Sequence, residues 1–401
     1  MKKNTIAIIA EYNPFHNGHL YQINKIKQIY NDCDIIVIMS GNFTQRCEPA
    51  LLSKYSRAKQ ALSCGADCVI ELPSLFSTAP AQNFARAGVF IANSLNFVDT
   101  LFFSTECGDI DIIKKLAFLT EDAAISDNIK NYLKQGFSYP TCVQKAVQVN
   151  SEKSVYDELK KANNMLGIEY IKALNHYNSK IKPATIKRMA VTHDCMNTKN
   201  YFASAKFLRH KILNNQYNDI APFIPETSYN ILLDEVKNSL APNDFNKLEN
   251  LIFFNLYSAS KDNLQNTAYI TEGLENRLIN AAKSSESLED LLEKIKTKRY
   301  TYSKIRRILL YSLLGINSEY SKFTPQYTRV LGVNSEKEYL LSKIKTSSSL
   351  PVVFSGKQIL KLNKTANKIF DIENRTADLL SLCGSKISYK NNEFTAMLVK
   401  V

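Results

Sequence analysis

Short apolar runs at Thr5–Ala10, Asp34–Met39, Asp67–Leu72 and Thr100–Phe103 recur at roughly thirty-residue intervals, with helix-like segments between them. Those segments are Leu20–Tyr30, Leu52–Ser63, Ala81–Leu95 and Ile110–Leu119. Continuous apolar strands alternating with amphipathic helices pack as a parallel sheet covered on both faces. Gly65 stands where the second helix needs a C-terminal cap. The spacing predicts a Rossmann-like α/β domain, whose ligands gather at the carboxyl ends of the strands.

From about His210 the character changes to long helical patterns at Thr227–Val236, Asp244–Leu256, Leu274–Ala282 and Leu288–Lys296. Strand-like pieces at Arg329–Leu331 and Leu350–Phe354 and a helical run at Glu373–Leu382 follow. The expected division is a catalytic α/β domain at 1–215, a mainly helical region at 216–326 and a small α/β region at 327–401.

No run of about twenty apolar residues is present, which excludes a helical membrane span. The chain runs from Met1-Lys2-Lys3-Asn4 straight into the first strand, which argues against a signal peptide and for a cytoplasmic protein. Eight cysteines are scattered without a Cys-x-x-Cys pair, so reduced thiols are expected and no metal site. The formal charge of +13 favours a polyanionic partner. With no basic amphipathic anchor, RNA is a better partner than a membrane surface. Nothing points to a protein partner.

The chemistry concentrates in the loop after the first strand, where His16-Asn17-Gly18-His19 opens a helix. Free N–H groups and the macrodipole at a helix N-terminus favour anions. Two imidazoles there can donate hydrogen bonds to a triphosphate as charge develops on it, and Gly18 leaves room for close approach. At the mouth of the second strand, Gly41-Asn42 and Arg46 suit ligand contacts, and Lys54, Arg57 and Lys59 add cations on the next helix. The stretch Asn163–Tyr170 precedes a helix, and its amides can read a base edge or a ribose hydroxyl. Arg188 ends a further strand, where a guanidinium can hold a phosphate or carboxylate; His193 and Asp194 follow it as a plain loop pair or as functional groups. Ser204, Lys206 and Arg209 open another helix as a second anion cradle. Last, Lys298, Arg299, Lys304, Arg306 and Arg307 form a basic run with Tyr300 and Tyr302 interleaved, fit for RNA phosphates and unpaired bases.

The His-x-Gly-His loop resembles the signature of the nucleotidyltransferase superfamily, and Phe202–Arg209 resembles the triphosphate-binding element of its non-synthetase members. No Lys-Met-Ser-Lys-Ser sequence occurs, which disfavours a class I synthetase. Across the stretches Ala10–Leu20, Met39–Leu52, Gly65–Pro73, Asn164–Leu174, Thr185–Arg188, Ser204–Arg209, Thr297–Leu310 and Asp371–Leu382 the chain is similar to the bacterial tRNA(Met) cytidine acetate ligases.

That resemblance implies an ATP-dependent ligase that joins acetate to ATP as acetyl-adenylate. It then passes the acetyl group to N4 of the wobble cytidine of elongator tRNA(Met). It implies His16, His19 and Lys206 as catalytic residues and no metal ligands from the chain, with Mg²⁺ accompanying ATP. The implied ATP site takes in Ala7, Ile8, Ile9, Ala10, Glu11, Tyr12, Asn13, Pro14, Phe15, Asn17, Gly18 and Leu20, then Ser104, Asn163, Asn164, Arg188, Ser204 and Arg209. The basic run would hold the tRNA. Three positions depart from the family pattern: Cys47 and Ser104 stand where glycine is expected, and Gln82 where an acidic residue is. An adenylyltransferase acting on a small cofactor precursor would also explain the N-terminal half but would leave the basic half idle.

Overall fold

The computed structural model describes residues 3–148, 157–189, 201–271, 273–387 and 393–401; His193 and Asp194 lie outside them. Five parallel strands, β1 (Asn4–Ala10), β2 (Cys33–Ser40), β3 (Cys68–Leu72), β4 (Thr100–Thr105) and β5 (Lys182–Lys187), form the centre of one sheet. Three more come from the C-terminal stretch: β6 (Thr328–Val333), β7 (Val352–Val353) and β8 (Val399–Lys400). The order is β5-β4-β1-β2-β3-β6-β7, with β8 also on β6. β6 runs antiparallel to β3, so residues 327–401 extend the same sheet that carries the N-terminal motif.

Period-two alternation sends Ile6, Ile8, Ile35, Val37 and Val69 to one face, and Ala7, Ile9, Ile36, Ile38 and Ile70 to the other. Fully burying each of the larger side chains contributes about 1.5–3 kcal/mol, so both faces need helical cover. The helices that bear on the site are α1 (Asn17–Ile29), α2 (Lys54–Ser63), α3 (Ala81–Ser94), α4 (Ala162–His176), α5 (Ala205–Leu213), α6 (Tyr302–Leu314) and α7 (Lys364–Ser381). None of the described helices is long and apolar enough to cross a membrane.

Two cations of α2 are internal rather than at a ligand. Arg57 is fully buried and donates to the carbonyls of Glu11 (2.7 Å), Ser40 (3.0 Å), Leu52 (3.2 Å) and Gly41. It thereby ties the ends of β1 and β2, the two strands that carry the site loops. Lys54 is equally buried and meets three carboxylates, Glu71, Glu373 (3.1 Å) and Glu393 (2.7 Å). Arg329 on β6 pairs with Glu393 and Glu71 and donates to the Tyr55 hydroxyl at 2.9 Å. Burial pushes Glu373 up to about 7, against the pull of Lys54. Three carboxylates thus balance two cations with one proton held near neutrality.

Candidate active site

His16 is the N-cap of α1: its Nδ1 accepts from the Gly18 N–H at 3.0 Å, while His19 Nδ1 accepts from the His16 N–H at 3.2 Å. This reciprocal cap fixes both tautomers, leaving the proton of each neutral ring on Nε2. The two rings stack with centroids 3.8 Å apart and planes 20° apart. Gly18 has no freedom to be larger, because a Cβ there would lie 2.8 Å from the His16 ring. His16 Nε2 is buried with no partner. A donor left without an acceptor in a buried site is costly unless a ligand completes it.

Burial, reinforced by Arg188 and Arg209, pushes the His16 imidazole down to about 3. Burial, then His16 and Arg188, hold His19 well below its usual range. Both rings are therefore neutral donors near pH 7. Glu11 is shifted the other way: burial raises it, against the Gln45 N–H that its carboxylate accepts at 2.7 Å and the nearby arginines.

A cavity of 450 Å³ opens over these rings at the carboxyl ends of β1, β4 and β5. The β1–β4 junction is where strand order reverses, the usual ligand crevice of an open α/β sheet. From the implied ATP set, Ile9, Ala10, Glu11, Tyr12, Asn13, His16, Gly18, His19, Ser104, Asn163, Arg188, Ser204 and Arg209 line it, as does Lys206. Ala7, Ile8 and Phe15 are core residues, Leu20 packs on the core, and Pro14 follows a cis peptide. Asn17 donates to the carbonyls of Tyr201 (2.8 Å) and Pro222 (3.0 Å). These six do not line the cavity.

The Asn163–Tyr170 stretch lies inside α4 rather than before it. Asn163 Oδ1 accepts from Arg188 at 3.2 Å, and the Glu106 carboxylate holds Asn163 through both its backbone and side-chain N–H groups (3.2 and 2.6 Å). Asn164 is fully buried and committed to the fold: Oδ1 accepts from the Glu106 and Cys107 N–H groups, and Nδ2 donates to Glu158. It cannot also read an adenine edge. Ser204 caps α5 by accepting from the Phe207 N–H at 3.2 Å. Arg209 on that helix donates to the Asn13 carbonyl at 3.2 Å, which joins the second anion cradle to the first.

Glu48, Glu106 and Phe84 carry no functional signal in the sequence, and Tyr170 stands in the Asn163–Tyr170 stretch with no role of its own. Phe84 and Tyr170 line the cavity from α3 and α4, at positions that in sequence are indistinguishable from core aromatics. Cys47 has φ +60°, the left-handed region, which is why glycine suits that position; its thiol is buried and lies 3.3 Å from the Thr78 carbonyl.

The basic run divides. Lys298 and Arg299 are exposed. Lys304 stands 4.9 Å over the Tyr300 ring, and that ring is only 9% exposed, so it does not offer a face for stacking. The Tyr302 hydroxyl donates to Glu293. Arg306 pairs with Glu48 at 2.9 Å, and Glu48 also faces Arg209 at 3.5 Å. Arg307 is buried and donates to the carbonyls of Thr78 (2.6 Å) and Gln45 (2.9 Å). The last two arginines thus brace the Gln45–Glu48 loop beside the cavity, Arg307 from a buried position and Arg306 from a partly exposed one. On the ATP and tRNA roles that the resemblance implies, Arg307→Met should raise the KM for ATP, whereas Lys298→Glu with Arg299→Glu should weaken RNA binding and leave that KM unchanged. Steady-state kinetics and tRNA titrations of both variants check this; an unaltered KM in Arg307→Met would refute the bracing role.

A parallel sheet whose first strand feeds a double-histidine helix cap beneath a cation-lined crevice defines a nucleotidyl transferase. The sequence profile of the HIGH nucleotidyl transferases matches residues 3–394. More narrowly, the chain belongs to the tRNA(Met) cytidine acetate ligase family. It is 36% identical to the "tRNA(Met) cytidine acetate ligase" of Clostridium tetani, covering 96% of this chain and 97% of the relative. It is 38% identical to that of Clostridium perfringens strain SM101, over 87% and 89%. The crystal structure of Thermotoga maritima TmcAL bound with alpha-thio ATP superposes with a TM-score of 0.90 at 28% identity, covering 99% of this chain and 100% of that one.

Proposed function

We propose that this enzyme activates acetate with ATP and acetylates the wobble cytidine of elongator tRNA(Met). An acetate oxygen attacks the α-phosphorus, the bond to the bridging oxygen breaks, and pyrophosphate leaves. The cytidine N4 amine then attacks the acetyl carbonyl of the adenylate; AMP leaves, N4 gives up a proton, and N4-acetylcytidine results. The observation that carries the reading is the unpartnered Nε2 donor of His16, stacked on a second neutral imidazole and overlooked by Arg188 and Arg209. In-line displacement at phosphorus asks mainly for positioning and charge neutralisation. His16 and His19 would supply donors from α1, and Ser204, Lys206 and Arg209 would close on the triphosphate from α5.

Among the described residues no group of three or more His, Cys, Asp or Glu side chains is arranged for a metal. Of the cavity carboxylates, Glu11 accepts from Gln45, and Glu48 faces two arginines. Mg²⁺ would arrive on the phosphates of ATP, neutralising their charge. The net charge of +13 suits an RNA substrate, and an anticodon loop is already unpaired and so opens at little cost. Both substrates are expected in the cytoplasm.

Purified protein with ATP, labelled acetate and hydroxylamine should give acetyl-hydroxamate without tRNA. With tRNA added, nucleoside analysis should show N4-acetylcytidine without acetyl-CoA. Acetylation that proceeds from acetyl-CoA with no ATP would overturn the ligase reading.

A further inference from the structure

Helix α3 separates two cavities. Ala81 and Phe84 line the ATP crevice, whereas Asn83, Arg86 and Ala87, on another face of the helix, line a second cavity of 180 Å³. Its remaining walls come from Leu75, Phe76 and Ala79, the end of α4, the turn at Tyr269, Tyr311 of α6 and the segment after that helix. Nothing in the proposed adenylation chemistry uses it.

The walls are aromatic. Tyr320 and Phe323 sit with ring centroids 5.2 Å apart, and Tyr269 and Tyr311 with centroids 5.9 Å apart. Tyr269 has φ +66°, a left-handed conformation that a bulky side chain adopts only against strain. Such strain persists where the surroundings impose it, and it gathers at ligand sites. The Tyr269 hydroxyl accepts from Asn83 Nδ2 at 2.8 Å, which fixes the ring in the cavity wall. Arg86, half-buried in the same wall, forms no hydrogen bond or salt bridge to a described residue, and Lys322 stands exposed at the rim.

We propose that this cavity takes up one unpaired nucleobase of the RNA substrate, with Arg86 and Lys322 on the adjoining phosphate. The inference rests on the RNA-directed function proposed above. The volume falls below the roughly 300–1,000 Å³ of sites that enclose a drug-sized ligand, and suits a single heterocycle. Rings of several orientations beside cations are the means by which proteins hold single-stranded bases without pairing to them. Arg and Lys at the rim place positive charge where a nucleotide carries its phosphate. Uptake here would anchor the loop beside the crevice in which its cytidine reacts.

The test uses the full-length protein and transcribed elongator tRNA(Met), titrated at several salt concentrations. Tyr320→Ala and Phe323→Ala should each weaken binding about tenfold. Tyr320→Phe, which keeps the ring, should bind as the parent does. Arg86→Met should lower the slope of log K against log salt by about one. Acetyl-hydroxamate formation without tRNA should persist in all four. Parental tRNA affinity in alanine variants that melt like the parent would overturn the cavity's role. Loss of affinity in Tyr320→Phe equal to that in Tyr320→Ala would overturn stacking as its basis. A parent protein that makes no hydroxamate would instead unseat the ligase function itself.

Discussion

His16→Asn and His19→Ala should lower acetate-dependent hydroxamate formation by roughly a hundredfold or more, the scale of about 3 kcal/mol for one donor aimed at developing charge. Asparagine at position 16 keeps a cap acceptor for the first turn of α1, so the variant should fold; alanine there would add about 1 kcal/mol of lost capping. The measurement is kcat for hydroxamate alongside the melting temperature. Parental kcat in either variant would remove the imidazoles from the reaction.

The same rings govern acid stability. Both are neutral in the fold, with His16 at about 3, while an unfolded histidine titrates near 6.5. Below 6.5 the unfolded chain binds protons that the fold refuses, so stability falls as pH drops from 6.5 toward 3. His16→Asn should flatten that limb of the curve.

Lys54→Met should destabilise the protein by about 3–5 kcal/mol, because it leaves Glu71, Glu373 and Glu393 facing only Arg329. Adding Glu71→Gln should restore part of the loss. The Glu373 proton sets the pH dependence of this cluster. With its pKa raised to about 7, its contribution is full below its ordinary value of 4.5 and is lost as pH rises through about 7. Chemical unfolding at pH 6 and pH 8 reads both effects. A loss below about 1 kcal/mol for Lys54→Met would show the cluster to be stabilised mainly by Arg329 and the hydroxyl groups around it.

Much of the catalytic half was legible because its signals are local. The four apolar runs are β1 to β4, and the strand ending before Arg188 is β5. The His16–His19 cap was readable because a helix start and a phosphate site ask for the same geometry. Long-range partners were not legible. Arg329–Leu331 reads as a strand, yet nothing local says that it pairs with β3 in antiparallel register. Lys54, Arg57 and Arg307 look like surface cations, since charged residues are seldom fully buried. Contacts from segments that sequence alone does not bring together, at Glu71 and Glu373, Glu11 and Ser40, and Thr78, make their burial tolerable. Asn164 failed for a similar reason: its amide suits an adenine edge and suits Glu106 and Glu158 equally well.

Lys54 and Glu373 are 319 residues apart in sequence, and Tyr55 and Glu393 are 338 apart. During synthesis the ribosome therefore releases β1 to β5 long before Glu373, Glu393 and the strand that covers the edge of β3 exist. Until then β3 presents an open edge and Lys54 has only Glu71 of its three carboxylates, and an open edge invites association with other nascent chains. Completion of the nucleotide-binding half is in this sense a late event, set by the arrival of β6 and Glu393.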